Sequence, residues 1–445
     1  MEGEELTHLV TRIVLQLCII LVAAKIAGEV SERYLRIPPV LGELAAGIII
    51  GPFALGGVEI GSLGPIFEAA AHVESNPIAV IPTELWVIAQ IASIVLLFTV
   101  GLETDLKQFL KFAGPATAVA IGGVVLPFTL GAGATVLLGY AEGFTDPVAL
   151  FMGAIMTATS VGITARVLSD LNRMNSPEGV TIIGAAVVDD VLGILVLAVV
   201  VALAETGSVS LGDIGEVAGK AVGFWIVLTG VMILGANVIT RALRWFKGVG
   251  TALVLALALA LLGGGLAETF GLAMIIGAYS VGLGLSGTSL SRIIEENLMG
   301  VYHFMVPIFF VVMGMLVDVG GMREALGFGA ILTALAIVSK IVGSGVPALA
   351  VGFNGRGAWR VGLGMLPRGE VALIIAGIGL SRGVIEQFEF GVAIMMTVVT
   401  TLIAPILLVP AFRSGLPGRR HPATSESAED AHEPDSSPQP EPTAD

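Results

Sequence analysis

Polar residues thin out along this chain in a repeating rhythm. Thirteen apolar stretches stand out, at about 6–31, 38–54, 84–102, 112–139, 147–169, 179–204, 217–244, 249–263, 266–285, 297–318, 325–352, 358–381 and 388–412. The runs are continuous rather than alternating, and most reach ~17 residues or more, enough to cross a ~30 Å hydrocarbon slab as helix. The pattern predicts an all-α polytopic membrane protein of about 13 transmembrane helices and excludes a β-barrel.

Loop charges orient that map. With the N-terminus outside, fifteen loop Lys and Arg fall on the inner face, among them Lys107, Lys111, Arg166, Arg173 and Arg360. Only Arg12, Lys220, Arg323 and Arg382 fall outside. This positive-inside excess predicts N-out/C-in, and an even span count would scramble it. Composition agrees: 55% of the 445 residues are hydrophobic, 13% are charged, and mean hydropathy is +0.94. Such values belong to a membrane protein rather than a soluble domain. The 59 glycines suit close helix packing and helix breaks in lipid. Cys18 stands alone, leaving no intramolecular disulfide and no zinc-type cluster. The start, Met1–Glu5, lacks the basic segment of a cleaved signal peptide. Net charge is −14, with seven acids lying after His421. Residues 413–445 are expected to form a disordered acidic cytoplasmic tail. No basic patch points to nucleic acid, and no motif points to a cofactor or to an enzyme.

Against this background one stretch is out of place. Asp189 and Asp190 stand side by side inside the apolar run 179–204, roughly 16 Å in from Glu178 by helical rise and thus near mid-membrane. Ionisable groups at that depth are costly and normally mark an ion path or a partner charge. Adjacent residues on a helix point about 100° apart, so the two face different surroundings. The cations able to compensate them are few: Lys340, midway along 325–352, and Arg368, with Glu370 two residues on. The economical arrangement pairs one Asp with Lys340 and leaves the other for a proton or a hard cation. A buried structural salt bridge is the competing reading. Lys25 and Glu43 read as snorkelling or packing residues, and His303 as an isolated mid-span histidine.

A faint repeat supplies a frame. Gly101-Leu102-Glu103-Thr104-Asp105 ends the third span in the style of Gly314-Met315-Leu316-Val317-Asp318 at the end of the tenth. An offset of seven spans inverts one copy relative to the other, as in secondary transporters built from inverted repeats. The same offset pairs the fifth span with the twelfth, and both look interrupted. The fifth holds Thr157-Ala158-Thr159-Ser160-Val161-Gly162, where hydroxyls either bond back to their own helix or ligate an ion. The twelfth holds Leu366-Pro367-Arg368-Gly369-Glu370, where Pro367 removes a donor and Gly369 loosens the next turn. Arg368 and Glu370 read as charges balancing each other and the broken helix ends. Unwound backbone at membrane depth is tolerated only within protein or beside water.

Taken together, Pro38-Pro39-Val40-Leu41-Gly42-Glu43, Gly101-Leu102-Glu103, Thr157–Ser160, Val188-Asp189-Asp190, Lys340 and Pro367–Glu370 give the chain a specific likeness. Over about residues 8–412 it resembles the monovalent cation:proton antiporter-2 family, and especially its NapA-type sodium/proton antiporters. That resemblance implies a NapA/NhaA-like fold with two broken crossing helices, inverted repeats and an elevator-like homodimer. It implies scaffold helices at about 6–102 and 249–318, a linker helix at 217–244, and a moving core at 112–204 and 325–412. It further implies that Asp190 is the main ion-binding carboxylate, that Asp189 pairs with Lys340, and that Thr159 and Ser160 complete the Na+ site. Asp-Asp and the absence of a nucleotide-binding domain argue against the gated potassium-efflux branch. The charged pair argues for electrogenic exchange over the electroneutral branch, whose ion-site motif Thr145-Asp146-Pro147 imitates only as a helix start. The expected activity is Na+(Li+)/H+ antiport in the cell (inner) membrane, with membrane lipid as surroundings. K+/H+ exchange is the alternative within the family. A passive cation channel is a different class. An intramembrane aspartyl protease is disfavoured because neighbouring aspartates cannot share one water.

Overall fold

Nearly every apolar stretch folds as helix. The computed structural model describes residues 2–35, 37–59, 64–68, 81–206, 211–245, 250–318, 320, 325–413 and 415–420. In chain order the helices are α1 (Glu2–Val30), α2 (Pro39–Ile50), α3 (Thr83–Glu103), α4 (Leu106–Leu137), α5 (Pro147–Thr157), α6 (Val161–Asp170), α7 (Pro177–Thr206) and α8 (Leu211–Trp245). They continue as α9 (Thr251–Thr269), α10 (Met274–Ser286), α11 (Ser291–Met315), α12 (Leu326–Ala350), α13 (Gly355–Gly364), α14 (Glu370–Ser381) and α15 (Gln387–Arg413). The acidic tail 421–445, Lys247 and Arg323 lie outside the described residues.

The starts of α4, α5 and α13 are capped by a side-chain oxygen, of Asp105, Asp146 and Asn354, that satisfies orphan amides of the first turn. Asp105 accepts from Lys107 N and Gln108 N to begin α4 six residues earlier than hydropathy suggested. Asp146 accepts from Val148 N at 2.9 Å with Pro147 in the first turn, so the Thr145-Asp146-Pro147 string is a helix start.

Among the described residues, eleven helical segments are long and apolar enough to cross a bilayer, counting α5 and α6 as one. Expected spans 266–285 and 358–381 correspond instead to the shorter α10 and the broken pair α13–α14. The end of α9 also differs from expectation. The expected span 249–263 stops at Gly263, yet α9 continues through Gly264 and Gly265 to Thr269 and turns at Gly271, where φ is +77°. The glycines are a packing surface: a Cβ on Gly264 would lie 3.1 Å from Met274 O and 3.2 Å from Ile94.

Two groups of helices emerge from the packing. α4, α5, α7 and α12–α15 pack on one another, and α1–α3 pack with α9–α11. α8 touches α7 on one side and α9 and α10 on the other, while α6 reaches from the first group onto α2 and α3. Glycines set the closest crossings. A Cβ on Gly101 of α3 would sit 2.9 Å from Gly282 Cα of α10, and one on Gly314 of α11 2.9 Å from Gly47 Cα of α2. These crossings exchange under the seven-span offset, third with ninth becoming tenth with second. Outward faces are apolar, as on α8, where Ile226, Val231 and Leu234 are exposed, the surface expected against lipid.

Candidate functional site

Two helices stop midway and resume, and the stops face each other. α5 ends at Thr157 and α6 starts at Val161; α13 ends at Gly364 and α14 starts at Glu370. Between these ends the freed backbone groups satisfy one another. Ser160 N donates to Pro367 O at 2.7 Å, Thr159 Oγ1 to Met365 O at 3.2 Å, and Thr164 Oγ1 to Gly364 O at 2.7 Å. Thr159 therefore bonds across to the other break rather than back along its own helix. Gly369 allows the approach, since a Cβ there would lie 2.8 Å from Ser160 Oγ and 3.0 Å from its Cβ.

The C-terminal end of α5 carries the negative end of its dipole into the interior, and two buried cations meet it. Arg368, fully buried, donates to Met156 O at 2.5 Å and Leu366 O at 3.5 Å, while its own carbonyl accepts from the Thr401 hydroxyl. Lys340, also fully buried, donates to Thr157 O at 2.6 Å, Gly123 O at 2.8 Å and Asp189 Oδ1 at 3.0 Å. All three protons of its ammonium are used. Asp189 is 2% exposed and also has the Thr159 hydroxyl beside it.

Asp190, one position on, turns the other way. It is 5% exposed and lines a cavity of about 430 Å³ walled by α3, the α9–α10 turn, α7 and α14, with Trp86, Gln90, Glu268 and Val371 among its neighbours. The cavity reaches toward the end of the bundle where α3 begins and α9 ends. Ser160 lines a small void of about 40 Å³ with Arg368, Gly369 and Thr401, separate from the cavity that Asp190 lines. The Glu370 side chain lies outside the described residues. Among the described residues no group of three or more His, Cys, Asp or Glu gathers. Lys340 thus holds Asp189, while the neighbouring Asp190 presents a second carboxylate to the cavity.

Other charged residues are placed differently from their sequence reading. Arg166 and Arg360, taken as loop charges, are buried within α6 and α13. Arg166 bonds Asp170 at 3.1 Å and covers the Tyr302 ring at 5.4 Å, and Arg360 bonds the buried Glu178 at 2.5 Å. Glu43 is 2% exposed, so it packs rather than snorkels; Lys25 and His303 lie on the exposed surface.

Comparison with known proteins follows the same lines. The family described as sodium/hydrogen exchanger, transmembrane, matches residues 18–414. The chain is 37% identical to the high-affinity Na(+)/H(+) antiporter NhaS3 of Synechocystis over 90% of both chains. It is 34% identical to the Na(+)/H(+)-K(+) antiporter GerN of Bacillus cereus, covering 89% of this chain and 95% of that one. In structure it is similar to the sodium proton antiporter MjNhaP1 of Methanocaldococcus jannaschii, with a TM-score of 0.67 at 19% identity, covering 90% of this chain and 96% of that one. The expected likeness to cation:proton antiporters holds, at the level of the broader group rather than of one branch. The chain is a multi-pass membrane protein and belongs to the sodium/hydrogen exchanger family.

Proposed function

We propose that the protein is an electrogenic Na+(Li+)/H+ antiporter of the cell membrane, exchanging cytoplasmic sodium for external protons by elevator-like alternating access. The observation that carries this reading is the division of labour between neighbours: Asp189 is held by Lys340 at 3.0 Å while Asp190 opens on a cavity. A carboxylate neutralised by H+ or by Na+, never both, is the minimum device for exchange. The names of NhaS3 and GerN support sodium and proton as substrates.

In this reading α4–α7 and α12–α15 form the moving core, with scaffold helices at about 6–102 and 249–318, a linker at 217–244, and a homodimer formed through the scaffold. With the N-terminus outside, the Asp190 cavity faces outward. The opposite end is closed between core and scaffold by Ser169 Oγ donating to Glu103 at 3.1 Å, Asn175 Nδ2 donating to Glu103 O at 3.0 Å, and Arg166 over Tyr302. Breaking these contacts and closing the cavity at Trp86 and Gln90 would expose Asp190 to the other side. The cation would find oxygen ligands in Asp190, Asp189 and the hydroxyls of Thr159 and Ser160, the last after rearrangement. A proton arriving from outside would displace it. The carbonyl and carboxylate partners of Lys340 change as Asp189 engages the ion, which lets this pair carry the extra proton of an electrogenic cycle.

K+/H+ exchange is the second reading, favoured by the name of GerN, which includes K+. Purified protein in liposomes tests both. An imposed Na+ gradient is expected to move protons, with Li+ active and K+ poor, because hard oxygen ligands around paired carboxylates favour small ions. Equal half-saturation by K+ would select the second reading, and no ion-driven proton movement would remove both.

A further inference from the structure

At the end of the bundle far from the Asp190 opening lies a second cavity, of about 500 Å³, that the exchange cycle does not use. Its walls come from the first turns of α4, the α6–α7 connection, α13 and the segment 415–419 after α15. Four cationic side chains line it, Lys111, Arg173, Arg360 and Arg419, against one carboxylate, Glu178. That carboxylate is already bound to Arg360. In a chain of net charge −14 this is a concentrated positive site.

The cavity is built rather than accidental. Asn354 Nδ2 donates to Pro417 O at 2.9 Å and to Arg419 O at 3.2 Å, and Asn354 N to Gly418 O at 2.8 Å, fixing the 415–419 segment over α13. That strap holds the Arg419 guanidinium 5.1 Å above the Phe112 ring, and Arg360 sits 5.0 Å from the centre of Phe412. Arg360 donates from Nε to Ala411 O at 2.9 Å and from Nη1 to Glu178 and Leu416 O, so it braces the wall, and the stacked Arg419 joins Lys111 and Arg173 in lining the cavity with little rotamer freedom left to lose. Ser176 and Pro177 bring the N-terminus of α7 to the same wall, adding its positive dipole end. The positive-inside tendency accounts for basic loops, but it demands neither a walled cavity nor arginines fixed on aromatic rings.

We infer that this cavity binds a phosphate-bearing anion of small-molecule size, either a soluble organic phosphate or the headgroup of an anionic lipid. Guanidinium forks match phosphate oxygens two at a time, and the volume admits a mononucleotide-sized group. The site lies wholly on the group of helices that carries the two breaks, so its occupant braces that group without touching Asp190.

Calorimetric titration of the full-length protein in neutral detergent tests the inference, using AMP as its Tris salt and dihexanoyl phosphatidylglycerol as probes, with adenosine as the uncharged control. Saturable binding of AMP alone assigns a soluble source, and of the phosphatidylglycerol alone a lipid source; adenosine is expected not to bind. The Lys111→Gln/Arg173→Gln variant, whose changes sit at the cavity rim, is expected to bind at least tenfold more weakly with an unchanged melting temperature. Should that variant not fold, Arg173→Gln alone is read the same way. No saturable binding of either charged probe, or undiminished binding by the folded variant, overturns the inference. Binding that emerges only after removal of residues 421–445 also overturns it, making the chain's acidic tail the occupant.

Discussion

Two neighbouring aspartates with opposite surroundings are the chemical centre of the molecule. Asp189 has its cation in Lys340, and Lys340 in turn caps Thr157 O and Gly123 O. Breaking a buried pair by removing one partner typically costs ~3–5 kcal/mol, most of it from the charge left behind. Lys340→Gln should therefore lower the melting temperature clearly. Asp189→Asn combined with Lys340→Gln should recover part of that loss by removing the lone charge. Recovery should be incomplete, because a shorter amide cannot serve both carbonyls, and each orphaned buried group costs ~1–3 kcal/mol. A double variant no more stable than Lys340→Gln would show that Asp189 is not the group Lys340 balances. That one aspartate would pair with Lys340 was legible in the sequence because few basic residues lie deep in the apolar spans, while the choice of Asp189 over Asp190 came only from the family resemblance. The carbonyl partners were not legible, since backbone acceptors carry no mark in a sequence until the helix break that frees them is located.

The two broken helices act as one element. Each break supplies what the other lacks: carbonyls of Met365 and Pro367 receive Thr159 and Ser160, and Arg368 reaches Met156. Gly369 is where they come closest. Gly369→Ala places a Cβ 2.8 Å from Ser160 Oγ, and such overpacking costs ~1–3 kcal/mol. Adding Ser160→Gly should return most of the lost thermal stability, measured by melting in detergent; a melting temperature unmoved by Gly369→Ala would mean the breaks do not press together here. Pro367 and the Thr-Ser patch announced both breaks in advance. The boundary expected between spans 249–263 and 266–285 lies six residues later, at the α9–α10 turn, because a glycine that lets helices touch and a glycine that ends one look alike in a single chain. Arg166 and Arg360 were misread for a related reason: a charge near a helix end is a loop charge unless an acid waits for it on the packed side, as Asp170 does one turn on from Arg166 and the buried Glu178 does for Arg360.

At the scale of the whole molecule, two helix groups meet at the Asp190 cavity on one side and at the Glu103, Ser169 and Arg166 contacts on the other. An electrogenic cycle predicts net charge movement when Na+ is added to proteoliposomes on a solid-supported membrane; exchange without current would assign electroneutral antiport instead. Sequence hydropathy reached this scale well, because lipid imposes a length and a polarity that few residues escape. It could not reveal the cavity, which is a product of how α3, α7, α9, α10 and α14 lean together. Competition at Asp190 is the claim on which the rest depends, and the pH dependence of sodium half-saturation measures it. In liposomes, where protons outcompete sodium, the half-saturating Na+ concentration should rise toward tenfold for each unit the pH falls, and Asp190→Asn should abolish flux while eluting as a folded species. A half-saturation indifferent to pH, or sodium-driven proton flux surviving in Asp190→Asn, would contradict it.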